Sequence, residues 1–360
     1  MKIVILGLSI TSSWGNGHAT TYRSLARALR LRGHRIVFFE RDQEWYASNR
    51  DMPEPPFCDV HMYTQWPEVL PLLRRELRDA DVGMVGSYCP DGLVASREVL
   101  DSPAEIKAFY DIDTPITVAK LRRGDAEYLT LEQIPAFDLY FSFTGGPMLQ
   151  ELELEFGARS AVPLYCSFDP EKYRLCSPQS RFICDLSYMG TYAADRQAKL
   201  EEFFCHTARH LPRKKFLLAG PQYPQGILWP TNIERMIHLE PRFHPAFYCS
   251  SRLTLNLTRS DMVRAGYSPS VRLFEAAGCG AAIISDRWTG MDSFFTPGEE
   301  ILLTASSEGV IRLVDGMDDA EIRRIGRNAR QRVLAEHSSE RRAIQFEQYV
   351  ASRVSSKQSA

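Results

Sequence analysis

The chain has 360 residues, 43 of them Lys or Arg against 45 Asp or Glu, and a formal charge of −2. That length suggests two domains of roughly 150 residues, each able to bury its own core. The balanced charge, without a basic block or aromatic-basic alternation, argues against a nucleic-acid partner, and no apolar run approaches the ~18 residues of a membrane span or has the layout of a signal peptide, so a cytoplasmic protein is expected.

The first expected strand is KIVILGL. The polar loop SITSSWGNGHA follows, then the helical pattern TYRSLARALRLRG with Leu25, Ala28, Leu29 and Leu31, then RIVFFE as a second strand, making one βαβ unit. Gly15 and Gly17 let the backbone come close to a ligand, and the helix start offers free N–H groups to an anion or an acceptor. The loop does not match GxGxxG, so a nicotinamide site has weak support even though the second strand ends in Glu40, Arg41 and Asp42. His18 is the imidazole of this loop. It suits proton transfer near neutral pH, with a helix cap or a backbone hydrogen bond as the alternative.

Further strands are expected at DVGMVGSY (81–88), around PITVAKL (115–121) and at FDLYFSF (137–143). Asp91, Asp111 and Asp113 fall where strands should end; each is either a turn former or an acid or base, and Asp113 and Asp91 stand behind His18 as the catalytic candidates. Pro147, after Gly145 and Gly146, starts a helix, and AVPLYCSF is one more extended segment.

The pattern restarts at Asp169. DPEKYRLCSPQSRF reads as a linker, and DLSYMGTY, KKFLLAG, RLTLNLT, AAIISD and EILLT supply a second set of strands. The expected division is 1–168, 169–335, and a C-terminal helix in 336–360 that packs back on the first domain and ends in a disordered tail. Two doubly wound α/β domains of this Rossmann-like kind would face each other across a cleft, with ligands outside the carboxyl ends of the strands.

In the second half, Arg196 either holds a phosphate or is a solvated helix residue. Gly220, Pro221 and Tyr223 follow the strand KKFLLAG. In SPSVRLFEAAGCGAAIISD, Ser268 is the expected N-cap, Pro269 the first helical position, and Gly278 and Gly280 the stop. Arg272 then lies about one turn from the helix's positive end, where a cation is disfavoured by ~0.3–1 kcal/mol unless an anion is near. Glu275 shares its face, so the two either meet one ligand or pair at the surface. Tyr267 is placed to stack on a base or close the cleft. The eight cysteines show no CxxC and read as reduced, and His206 and His210, four apart beside Cys205, lack a third ligand, so no metal site is expected.

Residues 266–303, GYSPSVRLFEAAGCGAAIISDRWTGMDSFFTPGEEILL, resemble the C-terminal nucleotide-sugar motif of GT-B glycosyltransferases, specifically those related to the CgeB spore-maturation family. Arg272, Phe274, Glu275, Gly278, Gly280, Asp286, Pro297, Gly298, Glu299 and Glu300 carry the resemblance. WGNGHATTYRSLARALRLRGHRIVFFE is similar to the GT-B opening, and VPLYCSFDPEKY to its interdomain linker. The resemblance implies transfer of a sugar from a nucleoside diphosphate sugar to an acceptor it leaves unnamed, with no cofactor and no bound metal. Glu275 would bond the ribose hydroxyls and Arg272 and Arg196 hold the diphosphate. Tyr267, Gly220, Gly15 and Gly17 would also lie on the donor's side, and His18 would meet acceptor and sugar. The large retaining GT-B families carry two glutamates with seven residues between them; Tyr267 stands at the first of those places, which leaves the anomeric outcome open. A nucleotide-sugar epimerase and a non-catalytic, glycosyltransferase-like binding protein are the alternative readings.

Overall fold

Two parallel sheets organise the chain, described for residues 1–359 by a computed structural model. The first unit is Met1–Ser167 with the segment from Ser339 onward, and the second is Phe168–Ser338. In the first, strands β1 (Lys2–Gly7), β2 (Arg35–Arg41), β3 (Asp59–Tyr63), β4 (Val82–Gly86), β5 (Ile106–Asp111), β6 (Leu139–Ser142) and β7 (Ala161–Pro163) lie in the order β3-β2-β1-β4-β5-β6-β7. In the second, β8 (Cys184–Met189), β9 (Phe216–Ala219), β10 (Ile233–Met236), β11 (Ser251–Asn256), β12 (Ile283–Asp286) and β13 (Leu302–Thr304) lie in the order β10-β9-β8-β11-β12-β13. The strand order reverses between β1 and β4 and between β8 and β11, and a ligand crevice opens at such reversals in doubly wound sheets.

The central strands are continuous apolar runs because helices cover both sheet faces: β1 from Ile3 to Leu6 and β9 from Phe216 to Ala219 are fully buried. The helix Gly17–Leu31 starts where the Asn16 side chain accepts from the His18 N–H at 3.0 Å, and it buries Tyr22, Leu25, Ala26 and Leu29 at helical spacing.

The segment 115–121, expected as a strand, is a helix, Thr114–Arg122. Pro115 has no N–H to give to a sheet and suits a first helical turn, while Thr114, Thr117, Val118 and Leu121 fall on one buried face. The strand is β5 just before it, whose residues from Ala108 to Asp111 are buried. The edge strands β3 and β10, DVHMY and IERM, were not among the expected strands, since their exposed polar residues break the apolar run.

The tail also differs from expectation. The helix Ser339–Gln358 runs almost to the end of the described chain, where the Lys357 ammonium donates to Glu105 O at 2.7 Å and to Asp138 at 3.1 Å, and the Ser355 and Ser356 hydroxyls bond the preceding turn. Upstream, Phe346 stacks on Phe141 with ring centroids 5.3 Å apart, and Arg342 Nε donates to Tyr165 O at 3.1 Å. Among the described residues no helix is long and apolar enough to cross a membrane.

Candidate functional site

In the first unit the loop after β1 is tied down by Glu40 at the end of β2. This fully buried carboxylate accepts from the Ser9 and Thr11 hydroxyls at 2.8 and 2.6 Å and from the Ile10 and Thr11 N–H groups at 2.7 and 3.0 Å. Arg23 fixes the same loop by donating to Ile10 O at 2.7 Å, and its fork grips both Asp51 oxygens at 2.8 and 2.9 Å. Both Glu40 oxygens are thereby occupied by the loop, not presented as a nicotinamide ribose would require.

The rigid loop presents His18 beside Asp113, with Nε2 3.7 Å from Oδ2. The imidazole edge meets the Tyr88 ring at 5.2 Å, and Nδ1 is buried without a hydrogen-bond partner among the described residues. Asp113 precedes the helix Thr114–Arg122 without capping it, so its carboxylate remains directed at the imidazole. Asp111 instead belongs to the core, accepting from Tyr140 at 2.5 Å and Thr117 at 2.8 Å, and burial pushes its carboxyl up to about 6. Asp91 is engaged elsewhere: it pairs with Arg41 at 3.1 Å and accepts from Tyr63 at 2.9 Å. The structure thus brings His18 to Asp113 and not to Asp91. Gly15, at φ +58°, and Gly17 stand in the open, where an added Cβ meets nothing within 4 Å.

In the second unit, the end of β8 carries Tyr188 and Gly190, and the helices Ala194–Leu200 and Val271–Gly278 bring Arg196 and Arg272 to it. The Arg272 guanidinium lies over the Tyr188 ring, 5.8 Å from its centroid. Gly190 makes room for this approach, since a Cβ there would sit 3.1 Å from Arg272 Nη2. Arg196 donates to Thr191 O at 2.7 Å while its Nε is buried without a partner. Burial pulls its guanidinium below the usual arginine range, and the charge of Arg272 adds to the effect. Neither arginine has a carboxylate within ion-pair reach among the described residues. The Tyr223 hydroxyl closes the group by donating to Gly190 O at 3.0 Å. Gly220 is required by crowding, because a Cβ there would fall 2.0 Å from Gly190 O. Sequence reasoning passed over Tyr188 and Gly190; a glycine directly after a buried strand was the available signal.

The helix carrying Arg272 begins at Val271, with Ser270 as N-cap, two residues later than Pro269. Tyr267 N–H donates to Thr289 O at 2.7 Å and Ser270 Oγ to Asn256 at 2.8 Å, which holds the intervening backbone extended. Arg272 is accordingly in the first turn, closer to the positive end than expected. The stop is as expected: Gly280, at φ +71°, donates to Ala277 O at 2.8 Å and Ala281 to Ala276 O at 3.1 Å, a Schellman closure. Glu275 is not on a surface. It is 5% exposed, hydrogen-bonded to Tyr173, and burial raises its carboxyl to about 7 against the opposing effects of Tyr173 and Arg272. Tyr267 has φ +46°, and its ring lies over Gly290, where a Cβ would approach within 2.4 Å. Asp286 is structural, accepting from Thr258 N–H and hydroxyl at 3.1 and 2.9 Å and from Lys199 at 2.5 Å. The Pro297-to-Glu300 stretch is a turn closed by Thr296 N–H donating to Glu300 at 2.7 Å.

Of the three non-glycine residues with positive φ among those described, Tyr88 and Gln222 lie in the loops directly after β4 and β9, and Tyr267 lies between the helices Ser260–Ala265 and Val271–Gly278. Such backbone costs about 1–3 kcal/mol per residue and collects at ligand sites. Among the described residues no group of three or more His, Cys, Asp or Glu is arranged to hold a metal; His206 and His210 lie with ring centroids 4.1 Å apart, and His210 is bonded to a backbone carbonyl.

Residues 196–348 match the family model described as glycosyl transferase-like. No curated protein matches the sequence. Solved structures similar to this one include sucrose-phosphate synthase from Thermosynechococcus elongatus, 13% identical with a TM-score of 0.70 over 99% of this chain and 100% of that one. HepE of Anabaena in complex with UDP and glucose is 13% identical with a TM-score of 0.70, over 98% of this chain and 100% of that one. An alpha-glucosyltransferase in complex with UDP is 13% identical with a TM-score of 0.72 over the same shares, and further structures of alpha-glucosyltransferase contain DNA. The chain therefore has the two-sheet GT-B fold of these structures.

Proposed function

We propose that the protein transfers a sugar from a nucleoside diphosphate sugar, with the second unit holding the donor. The observation that carries this is the pair Arg196 and Arg272 at the β8/β11 reversal: two guanidiniums that repel each other and have no protein carboxylate between them. A diphosphate supplies the missing charge, and as the leaving group it would gain negative charge against these fixed cations in the transition state. They take the place of a bound metal in this reading. Donor structures of HepE and alpha-glucosyltransferase contain UDP or UDP-glucose, which makes uridine the first base to test. Tyr267 and Gly220 belong to the donor's side in this reading, Glu275 reaches the ribose only by leaving its burial against Tyr173, and kinship with the CgeB-type proteins is part of the same proposal.

In the first unit, His18 accepts the proton of the acceptor hydroxyl through Nε2, since Nδ1 is buried, with Asp113 3.7 Å away to stabilise the resulting imidazolium, and Gly15 and Gly17 leave its loop open to substrate. The near-neutral charge favours an acceptor other than nucleic acid. Calorimetric titration of UDP and uridine into wild type and Arg272→Ala tests the donor site. The expected result is a loss of ~10- to 100-fold for UDP, in line with about 1.5–3 kcal/mol for a charge-assisted bond, with uridine unaffected and Arg272→Lys intermediate. Equal losses for both ligands would overturn it. Release of UDP from a panel of UDP-sugars that is unchanged by EDTA would support the metal-free reading; loss of release with EDTA would refute it.

A further inference from the structure

Four of the eight cysteines, Cys176, Cys184, Cys249 and Cys279, line one open cavity of about 560 Å³ in the second unit, away from the arginine pair. No residue assigned to sugar transfer uses them. Three form a contact group: Cys249 at the end of the helix His244–Ser250, Cys279 at the C-cap of the helix that carries Arg272, and Cys176 on the segment that leads into β8. Cys249 has Cys176 and Cys279 as its neighbouring thiols on the wall of this cavity. Its own S–H, when present, points to Cys279 O at 3.4 Å and Arg174 O at 3.8 Å. Accessibility is graded across the group: Cys176 is exposed, Cys249 partly so, and Cys279 buried. Two neighbouring thiols, one of them solvent-facing, at the mouth of a cavity that admits a small molecule are the parts a disulfide-exchange site requires.

We propose that Cys249 and Cys176 form a thiol–disulfide exchange site for low-molecular-weight disulfides, Cys249 attacking and Cys176 resolving. The Cys249 thiolate attacks one sulfur of the disulfide RSSR, forming a protein–SR mixed disulfide and releasing RS⁻, which takes up a proton. The Cys176 thiol then loses its proton and attacks the Cys249 sulfur, closing the Cys176–Cys249 disulfide and releasing the second RSH. Two protein thiols are oxidised and one RSSR is reduced to two RSH. The division of roles follows from the surroundings. The Cys279 thiol hydrogen bond first, and then the Cys176 N–H and thiol and the Arg330 charge, stabilise a negative Cys249 sulfur and bring its thiol down to about 6. Partial desolvation by its neighbours, and then the charge and thiol of Cys249, push Cys176 up to about 11, so it acts as the second thiol. Cys279 is pushed far above its usual range by its bond to Cys249 and by burial, which suits a supporting donor.

The test is incubation of the full reduced chain with glutathione disulfide, followed by peptide mass mapping. The expected product is a Cys176–Cys249 disulfide without retained glutathione, whereas Cys176→Ser holds one glutathione on Cys249 and Cys249→Ser leaves Cys176 unmodified over the same time. Glutathionylation of Cys176 in Cys249→Ser at the wild-type rate would overturn the proposal, as would a wild-type chain that modifies Cys58 before Cys249. A measurement without substitution guards against variants that fail to fold: brief alkylation of the wild type at pH 7 labels Cys249 first, and labelling of Cys176 ahead of it refutes the assignment of roles.

Discussion

Glu275 shows what a single residue can hide. Arg272 was legible as a misplaced cation because helix starts and their polarity are local properties of the chain. The burial of Glu275 was not, since the groups that cover it, Tyr173 and Tyr248, come from the linker segment and from the helix His244–Ser250. Burial lifts its carboxyl from the ordinary 4.5 to about 7, so the folded state holds the proton more tightly than the unfolded chain. Its contribution is therefore complete below about pH 4.5 and lost as pH rises through 7, an effect of up to roughly 3 kcal/mol. Glu275→Gln removes the ionisation while nearly keeping the shape. The difference in melting temperature between Glu275→Gln and wild type should move in favour of the variant from pH 5 to pH 8. Parallel curves across that range would mean that the carboxyl does not ionise at a cost in the fold.

At the scale of elements, the central strands were legible because they are continuous apolar runs bounded by glycine or polar loops. The errors have physical causes. PITVAKL carries β-branched residues, but Pro115 and the 3–4 spacing of its buried positions decide for a helix. Strands β3 and β10 sit at sheet edges, where one side needs no apolar partner. The adjacency of β8 and β9 has a sharper test. Their ends converge so closely that Gly190 N–H donates to Ala219 O at 2.9 Å and Tyr192 N–H to Pro221 O at 3.0 Å. Gly220→Ala puts a methyl 2.0 Å from Gly190 O, against backbone that cannot rotate away. Its expected cost is about 1–3 kcal/mol in urea unfolding, with weaker UDP binding because Gly190 also seats Arg272. A variant with wild-type stability would show that the two loops are separated in solution.

For the whole molecule, two tandem α/β halves and a last helix returning to the first of them were legible, and the individual partners of that helix were not, because nothing local in SERRAIQFEQYVASRV names the side chains it meets. It closes the first unit: Arg32 and His34 both meet Glu347, at 2.6 and 2.7 Å, and Phe346 is buried against Phe141. Phe346→Ala should therefore destabilise the first unit by about 3–5 kcal/mol. Hydrogen exchange would show it as lost protection in β5 and β6 with β8 and β11 unchanged; equal losses in both sheets would mean that the units unfold as one.

That closing helix also imposes an order on synthesis. The ribosome delivers β1 to β7, then the whole of Phe168–Ser338, and only afterwards the residues that cover Phe141. At ~5–20 residues per second this interval lasts roughly 10 to 30 s, during which the early sheet has one apolar face without its permanent cover. The second unit, contiguous in sequence, can finish folding within that time. The first is begun first and completed last, so nascent chains stalled before Ser339 should be the species that chaperones hold.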